Sequence, residues 1–313
     1  MPRPSSPLIV VLGPTGSGKS ELALVLAETL GGEIINCDSI QVYQRLDIGS
    51  AKLSPAERRA IPHHLIDVID VEEEITAGAY ARMARLAVSG VHDRGHVPIV
   101  AGGTGLYLRA LLDGLSPAPV RDGELRERLG QLAARRPGAL HRYLRFYDRQ
   151  AARRIHPNDL QKLIRAVEIT SLAQQPVTAT QSQPREAFSG IVPLKLGLAP
   201  DRALLYKRLN GRCRSLFEQG LLNEAKSLLD AGFSPNLRPL QSLGYKQAFQ
   251  HLTGGLPYED AIEECQAKTR QFAKRQMTWF RKEQNVHWLQ GFGADTAIRR
   301  EALDLCRNFL ALA

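Results

Sequence analysis

At 313 residues with 43% hydrophobic content, the chain can bury a sizeable core and holds one large or two ordinary domains. Lys and Arg number 41 against 32 Asp and Glu, a formal +9 that suits a polyanionic partner without requiring one. No apolar run reaches membrane-spanning length, Met1–Ser6 lacks a secretory leader core, and Cys37, Cys213, Cys265 and Cys306 form no Cys-x-x-Cys pair. These features exclude a membrane-spanning helix, a disulfide scaffold and a zinc finger, and they predict a cytoplasmic protein with reduced thiols.

The first predicted strand, Leu8–Leu12, breaks into Gly13-Pro14-Thr15-Gly16-Ser17-Gly18-Lys19-Ser20, and a helix is predicted over Glu21–Leu30. That is G-x-x-x-x-G-K-[ST] between a strand and a helix, the context that gives the motif its meaning. Successive backbone N–H groups at a helix N-terminus attract an anion, and Lys19 adds a point charge. Ser20 is the residue type that holds a Mg²⁺ bridging two phosphates. Residues 13–20 are therefore expected to grip a di- or triphosphate, with Mg²⁺ on Ser20. The motif alone does not say which ligand.

A second strand, Glu33–Cys37, ends at Asp38. In a parallel sheet successive strand ends share one edge, where ligands bind. Asp38 is thus a candidate neighbour of the bound phosphate, able to hold metal or accept a proton. Nucleotide hydrolases place a metal-binding Asp at the end of a second apolar strand. Here Val97–Ala101 ends instead in Gly102-Gly103-Thr104-Gly105, and Asp67 follows only two apolar residues. Thr104 is placed to donate to a phosphate or target nucleotide, and a bare structural turn fits equally well. His63, His64 and Asp67 lack the further spaced ligands of a metal site.

After a break at Leu115-Ser116-Pro117-Ala118-Pro119, residues 121–170 carry 12 Lys or Arg against 6 acids and read as several helices. The pattern returns to a strand at Val192–Leu198, so residues 116–190 are expected to form an all-helical insertion. A solvated helix surface explains the charge as well as a nucleic-acid grip does. Tyr206–Arg214 reads as a basic helix in which Arg212 is indistinguishable from Arg208 and Arg214. Over Ala261–Lys282 a helix is predicted with Arg270, Lys274 and Arg281 on one face. Trp279 and Phe280 interleave with that charge, serving either as stacking rings or as core.

Six ordered blocks resemble those of the tRNA dimethylallyltransferase (tRNA isopentenyltransferase) family. They are Asp38–Tyr43 with Asp47–Lys52, His63–Asp67, Ala101–Tyr107, His156–Asp159, Leu243–Tyr245 and Thr269–Arg281, and they cover nearly the whole chain. The resemblance implies an α/β fold: a P-loop NTPase-like parallel sheet core of residues 1–115 and 191–313, with a mobile helical tRNA-binding insertion at 116–190. It implies transfer of a dimethylallyl group from dimethylallyl diphosphate to the exocyclic amine of the adenine 3′ of the anticodon. Asp38, Thr104 and Arg212 would be catalytic, with Arg212 helping to hold the diphosphate on Gly13–Ser20. The tRNA anticodon stem-loop would meet Asp38, Ser39, Ile40, Gln41, Thr104, Arg126, Gln161, Lys162, Arg165, Gly244, Tyr245, Lys246, Lys274, Arg275, Gln276 and Arg281. Lys162 stands where relatives commonly carry Arg, which keeps a phosphate contact but loses bidentate geometry. Ser50 replaces a more usual Thr. The ending without a zinc finger points to a bacterial form, and a monomer is expected.

Two other readings keep the phosphate loop. Prenylation of free adenine nucleotides would leave the basic insertion without a purpose. An ATP-dependent kinase or RNA-binding protein would require the metal-binding strand Asp that this chain lacks.

Overall fold

The computed structural model describes residues 6–312, so the leader reading at Met1–Ser5 lies outside the described residues. The chain divides into two compact units, one built from residues up to Leu112 and from Phe188 onward, the other from Asp113–Ala187.

The first unit begins with β1 (Ser6–Leu12), α1 (Lys19–Leu30), β2 (Gly32–Asn36) and the short β3 (His63–His64). It continues through α2 (Ala77–Asp93), β4 (Val97–Gly102) and α3 (Gly105–Leu112). The five helices of the second unit are α4 (Gly123–Arg135), α5 (Ala139–Tyr147), α6 (Arg149–Arg154), α7 (Leu160–Ala173) and α8 (Val177–Ser182). The first unit resumes with β5 (Ile191–Leu198), α9 (Arg202–Leu216), α10 (Leu222–Asp230), α11 (Tyr245–Leu252), α12 (Tyr258–Phe280), β6 (Val286–Leu289) and α13 (Thr296–Ala311).

All six strands are parallel, in the order β3-β2-β4-β1-β5-β6. A strand covered on both faces must be apolar throughout, and β1 is. Leu8, Val10 and Leu12 enter one core with Tyr80, Tyr245 and Phe280. Ile9 and Val11 point the other way, joining Leu22 and Leu26 of α1 and Ile298 and Cys306 of α13. This alternation seats β1 between β4 and β5, so its C-terminal turn opens at mid-sheet. The turns after β2 and β4 open on the same edge.

The opposite edge carries a buried charge. Glu33, at the start of β2, accepts from Arg94 Nε and Nη2 at 2.9 and 2.6 Å. His64 and His96 each lie 2.6 Å from its carboxylate. The hydrogen bonds from Arg94 first, then those from the histidines, hold the carboxyl down at about 2 against burial. A depressed carboxyl stabilises the fold above its unfolded value near 4.5 and loses that contribution as pH falls toward about 2. Glu33→Gln is therefore expected to melt earlier at neutral pH yet lose less stability than wild type between about pH 5 and about pH 2. The difference is roughly 2–3 kcal/mol. Equal acid slopes in thermal melts would refute the assignment. The same contacts dispose of a metal at His63-His64-Asp67. His64 faces Glu33, His63 Nδ1 lies 2.8 Å from Ile61 O, and Asp67 pairs with Lys52.

The helical unit has its own core of Leu129, Leu140, Leu144, Leu163, Ile164 and Val167. Buried Asp148 joins three of its helices by capping Ala151 N and accepting from Thr178 N and Oγ1. The unit starts and stops slightly earlier than the 116–190 read from sequence. Phe188 N already donates to Leu112 O at 2.9 Å, returning the chain to the first unit before β5.

Candidate active site

The phosphate loop runs from the end of β1 into α1 as the sequence predicts. Gly18 caps α1 at φ 87° and offers no side-chain bond to the first-turn N–H groups, so they stay available to an anion. The loop is packed tightly: Gly293 N donates to Ser17 O at 2.9 Å, and a Cβ on Gly293 would lie 2.1 Å from Gly18 O. Only glycine fits there.

Lys19 bends back to donate from Nζ to Pro14 O at 2.9 Å. Burial lowers its ammonium to about 8, the nearby Asp38 carboxylate opposes that shift, and Arg212 reinforces it. Lys19, Asp38 and Arg212 therefore sit within electrostatic range of one another. This separates Arg212 from its neighbours on α9. Arg208 reaches Glu21 and lies over the Phe292 ring, while Arg214 pairs with Glu259. Arg212 is half-buried with no hydrogen bond or ion pair among the described residues, and burial lowers its basicity.

Asp38 follows β2. Its Oδ1 accepts from Ile40 N at 2.9 Å and Gln41 N at 3.3 Å, which fixes the carboxylate and leaves Oδ2 without a hydrogen bond among the described residues. Thr104, in the turn after β4, accepts from Ser39 N through Oγ1 at 3.0 Å. Its hydroxyl thus holds the Asp38 turn while its own proton remains free to donate. Ser39 and Ile40 are partly exposed beside it. Gln41 Nε2 donates to the carbonyls of Ser50 and Ala51. Lys52, almost wholly enclosed, bonds Tyr43 O, Asp47 and Asp67. The 38–52 segment is therefore a knitted loop.

Two expected RNA-facing side chains lie inside. Tyr245 is fully buried, its hydroxyl donating to Glu224, and that carboxylate also accepts from the backbone N–H of Asp47, Ile48 and Gly49. Gln276 is buried as well. Its Oε1 accepts from Thr15 N at 2.7 Å and its Nε2 donates to Gly103 O at 2.8 Å, tying the phosphate loop to the turn after β4. Arg270 also leaves the expected basic face, bonding Asn210 Oδ1 at 2.6 Å.

Lys246, Lys274, Arg275 and Arg281 are exposed, while Gly244 is buried at φ 90° and caps α11. Lys274, Arg275 and Lys282 line a cleft of about 430 Å³ beside Trp279, with Arg275 over the Phe272 ring. Trp279 is half-buried under Arg109, and Phe280 is core. In the helical unit, Arg126 and Arg165 both pair with the fully buried Glu168, Lys162 pairs with Asp159, and Gln161 is exposed. Glu224 and Gly293 escape the sequence reading. The Gly291-x-Gly293 doublet was the one local signal; Glu224 carries none.

Ser20 is exposed and makes no hydrogen bond among the described residues. Those residues contain no group of three His, Cys, Asp or Glu suited to a metal. The exposed Ser20 hydroxyl fits a hard cation that takes its other ligands from phosphate oxygens and water.

Residues 41–283 match the family model described as IPP transferase. A tRNA dimethylallyltransferase of Solibacter usitatus is 53% identical over 97% of this chain and 99% of the relative. The chain belongs to the tRNA dimethylallyltransferase family. Another member, from Koribacter versatilis, is 52% identical over the same shares of the two chains. The crystal structure of a tRNA isopentenylpyrophosphate transferase from Bacillus halodurans is similar with a TM-score of 0.71 at 34% identity, over 98% of this chain and 96% of that one. A eukaryotic dimethylallyltransferase captured acting on tRNA gives a TM-score of 0.81 at 29% identity, over 98% of this chain and 80% of that one. Family membership brings the P-loop NTPase-like fold, which the parallel sheet and its mid-sheet loop display here.

Proposed function

We propose that this chain transfers the dimethylallyl group of dimethylallyl diphosphate to the exocyclic amine of the adenine 3′ of the anticodon in tRNA. The observation that carries the reading is the convergence of Lys19 and Arg212, two cations for an anion, with Asp38, whose Oδ2 makes no hydrogen bond among the described residues. The diphosphate would lie on Gly13–Ser20 with Lys19 and Arg212 neutralising its charge. A Mg²⁺ held by Ser20 would add Lewis-acid stabilisation of the leaving diphosphate.

The bond from the allylic carbon to the diphosphate oxygen breaks, and the electron pair leaves with the diphosphate. Fixed donors aimed at that developing charge are commonly the largest catalytic contribution. The adenine nitrogen forms the new carbon–nitrogen bond, and Asp38 accepts its proton. An aromatic amine is a weak nucleophile, so a positioned carboxylate both orients and activates it. Thr104 completes the wall of the site by steadying the Asp38 turn and donating its hydroxyl proton. The adenine must leave the loop stack to reach Asp38, at a cost of a few kcal/mol. Lys246, Lys274, Arg275 and Arg281 are the exposed cations of the core that would meet the tRNA. A monomer working in the cytoplasm completes the reading, and no described helix is long and apolar enough to cross a membrane.

The test is transfer of radiolabelled dimethylallyl to unmodified tRNA, with AMP and ATP as competing acceptors. Label in tRNA and none in AMP is expected. Label in AMP alone would reassign the chain to free-nucleotide prenylation. Phosphate release from ATP without any label would return it to the hydrolases.

A further inference from the structure

Glu224 performs a task that no motif announces. It stands in the first turn of α10, just past Gly220, whose φ of 108° breaks the helical path leaving α9. Beyond that break its carboxylate meets residues 47–49, far back along the chain. Oε2 accepts from Asp47 N at 3.0 Å and Ile48 N at 2.8 Å, and Oε1 accepts from Gly49 N at 3.1 Å. The Tyr245 hydroxyl also donates to Oε1. Successive backbone N–H groups make a concave anion site, and here a side chain of the protein itself fills it. The donors are all neutral, and no Lys or Arg pairs with Glu224 among the described residues. Bonds to an ionised carboxylate are about twice as strong as neutral ones, so the charge of Glu224 goes wholly into shaping this turn. The fit is close. A Cβ on Gly49 would press into the Tyr245 ring. Burial first, then the Glu224 carboxylate, raises the Tyr245 hydroxyl far above its ordinary value and keeps it a donor.

A continuous run of bonds leads from this turn to Asp38. Directly after Gly49, the carbonyls of Ser50 and Ala51 accept from Gln41 Nε2 at 3.1 and 3.3 Å. The Gln41 N–H donates in turn to Asp38 Oδ1 at 3.3 Å. That last bond is already longer than the usual range of about 2.7–3.2 Å. A small shift of Gln41 breaks it, and the carboxylate is then held on Oδ1 by Ile40 N alone. Lys52 ties the same loop through Tyr43 O and Asp47 Oδ1, but the amides of 47–49 have only Glu224 among the described residues. Misplacing a reacting group by about 1 Å can cost about 10²-fold in rate.

We propose that Glu224 is a positioning residue for prenyl transfer, setting the carboxylate of Asp38 through the 38–52 loop. It acts through Asp38 rather than on either substrate. The proposal rests on the reading of Asp38 as the proton acceptor, and it makes a residue outside every motif block answerable for that acceptor's aim.

The test is a double-mutant cycle in the full chain, read by single-turnover transfer to tRNA well below the melting temperature. Glu224→Gln keeps the side chain's shape but replaces one acceptor oxygen with a donor, so one side of the turn loses its bonds. In the wild-type background it is expected to slow transfer about 10- to 100-fold. In the Asp38→Asn background the same change should cost less than about threefold, because there is no proton acceptor left to aim. KM for dimethylallyl diphosphate should stay within about twofold, since the phosphate loop is braced by Gln276 and Gly293 instead. Equal losses in both backgrounds, or no loss in either, would overturn the proposal. Should Glu224→Gln not fold, Glu224→Asp keeps the charge, draws the turn inward by about one bond length and enters the same cycle. Hydrogen exchange at the Ile40 and Gln41 amides reads the link without turnover, and it should quicken about tenfold in the Glu224 variant. Wild type that transfers no label, with that exchange change present, would sink the prenyl-transfer reading and support the link from Glu224 to Asp38. Unchanged exchange beside full transfer in the variant would sink the link and leave the activity standing.

Discussion

Replacing Asp38 with Asn is expected to slow prenyl transfer by about 10²- to 10⁴-fold while tRNA affinity stays within about twofold. The choice of Asn matters. Oδ1 of Asp38 holds the turn by accepting from Ile40 and Gln41, and the amide oxygen of Asn can keep both bonds. Only the proton acceptor at the free oxygen is lost. Asp38→Ala removes the turn bonds too, so it mixes a loosened loop with a missing base. Single-turnover transfer with both substrates saturating separates the chemical step from binding. A variant with Asn that keeps its rate within about tenfold would remove Asp38 from proton transfer. A variant that loses tRNA affinity instead would make Asp38 a docking residue.

Replacing Lys19 with Met should lower kcat/KM for the allylic diphosphate by roughly 10²- to 10³-fold, about 3–4 kcal/mol of charge stabilisation. The wild-type pH profile carries the same information with no mutation. Burial brings the Lys19 ammonium down to about 8. The ammonium is the anion-binding form, so its loss as pH rises through about 8 should raise KM for the diphosphate substrate. A bound diphosphate favours the charged form, which places this alkaline limb in the free-enzyme profile of kcat/KM rather than in kcat. Lys19→Arg stays charged throughout and should lack the limb, whatever its overall rate. A limb that persists unchanged in Lys19→Arg would assign it to another group.

Much of the site was legible because it is local. The strand, glycine-rich turn and helix around Lys19 need only their own residues, and Asp38 and Thr104 follow from strands ending on one sheet edge. Distinctions among like residues were not legible, because distant partners make them. Arg208, Arg212 and Arg214 share one helix, and Glu21 and Glu259 take up two of them from far along the chain. Gln276 and Tyr245 fall within blocks that resemble the family's, yet one bridges two backbone loops and the other bonds a carboxylate that also holds three backbone amides. Arg165 is a different case. Glu168 lies three residues further on one helix, a spacing that forms ion pairs, so its commitment could have been read from the sequence.

The glycine-rich loop is synthesised well before the distant residues that brace it. Its Thr15 N–H is held by Gln276, 261 positions away, and Ser17 O by the amide of Gly293. Contacts of such separation are slow to form, because the entropy of closing the long loop is lost before the contact repays it. During synthesis the motif is exposed before the residues that shape it exist, and partly made chains fold domain by domain without them. Fragments cut or stalled before residue 276 therefore carry the anion-binding motif without its supports. The loop has its full set of supports only once residues 276 and 293 have joined it.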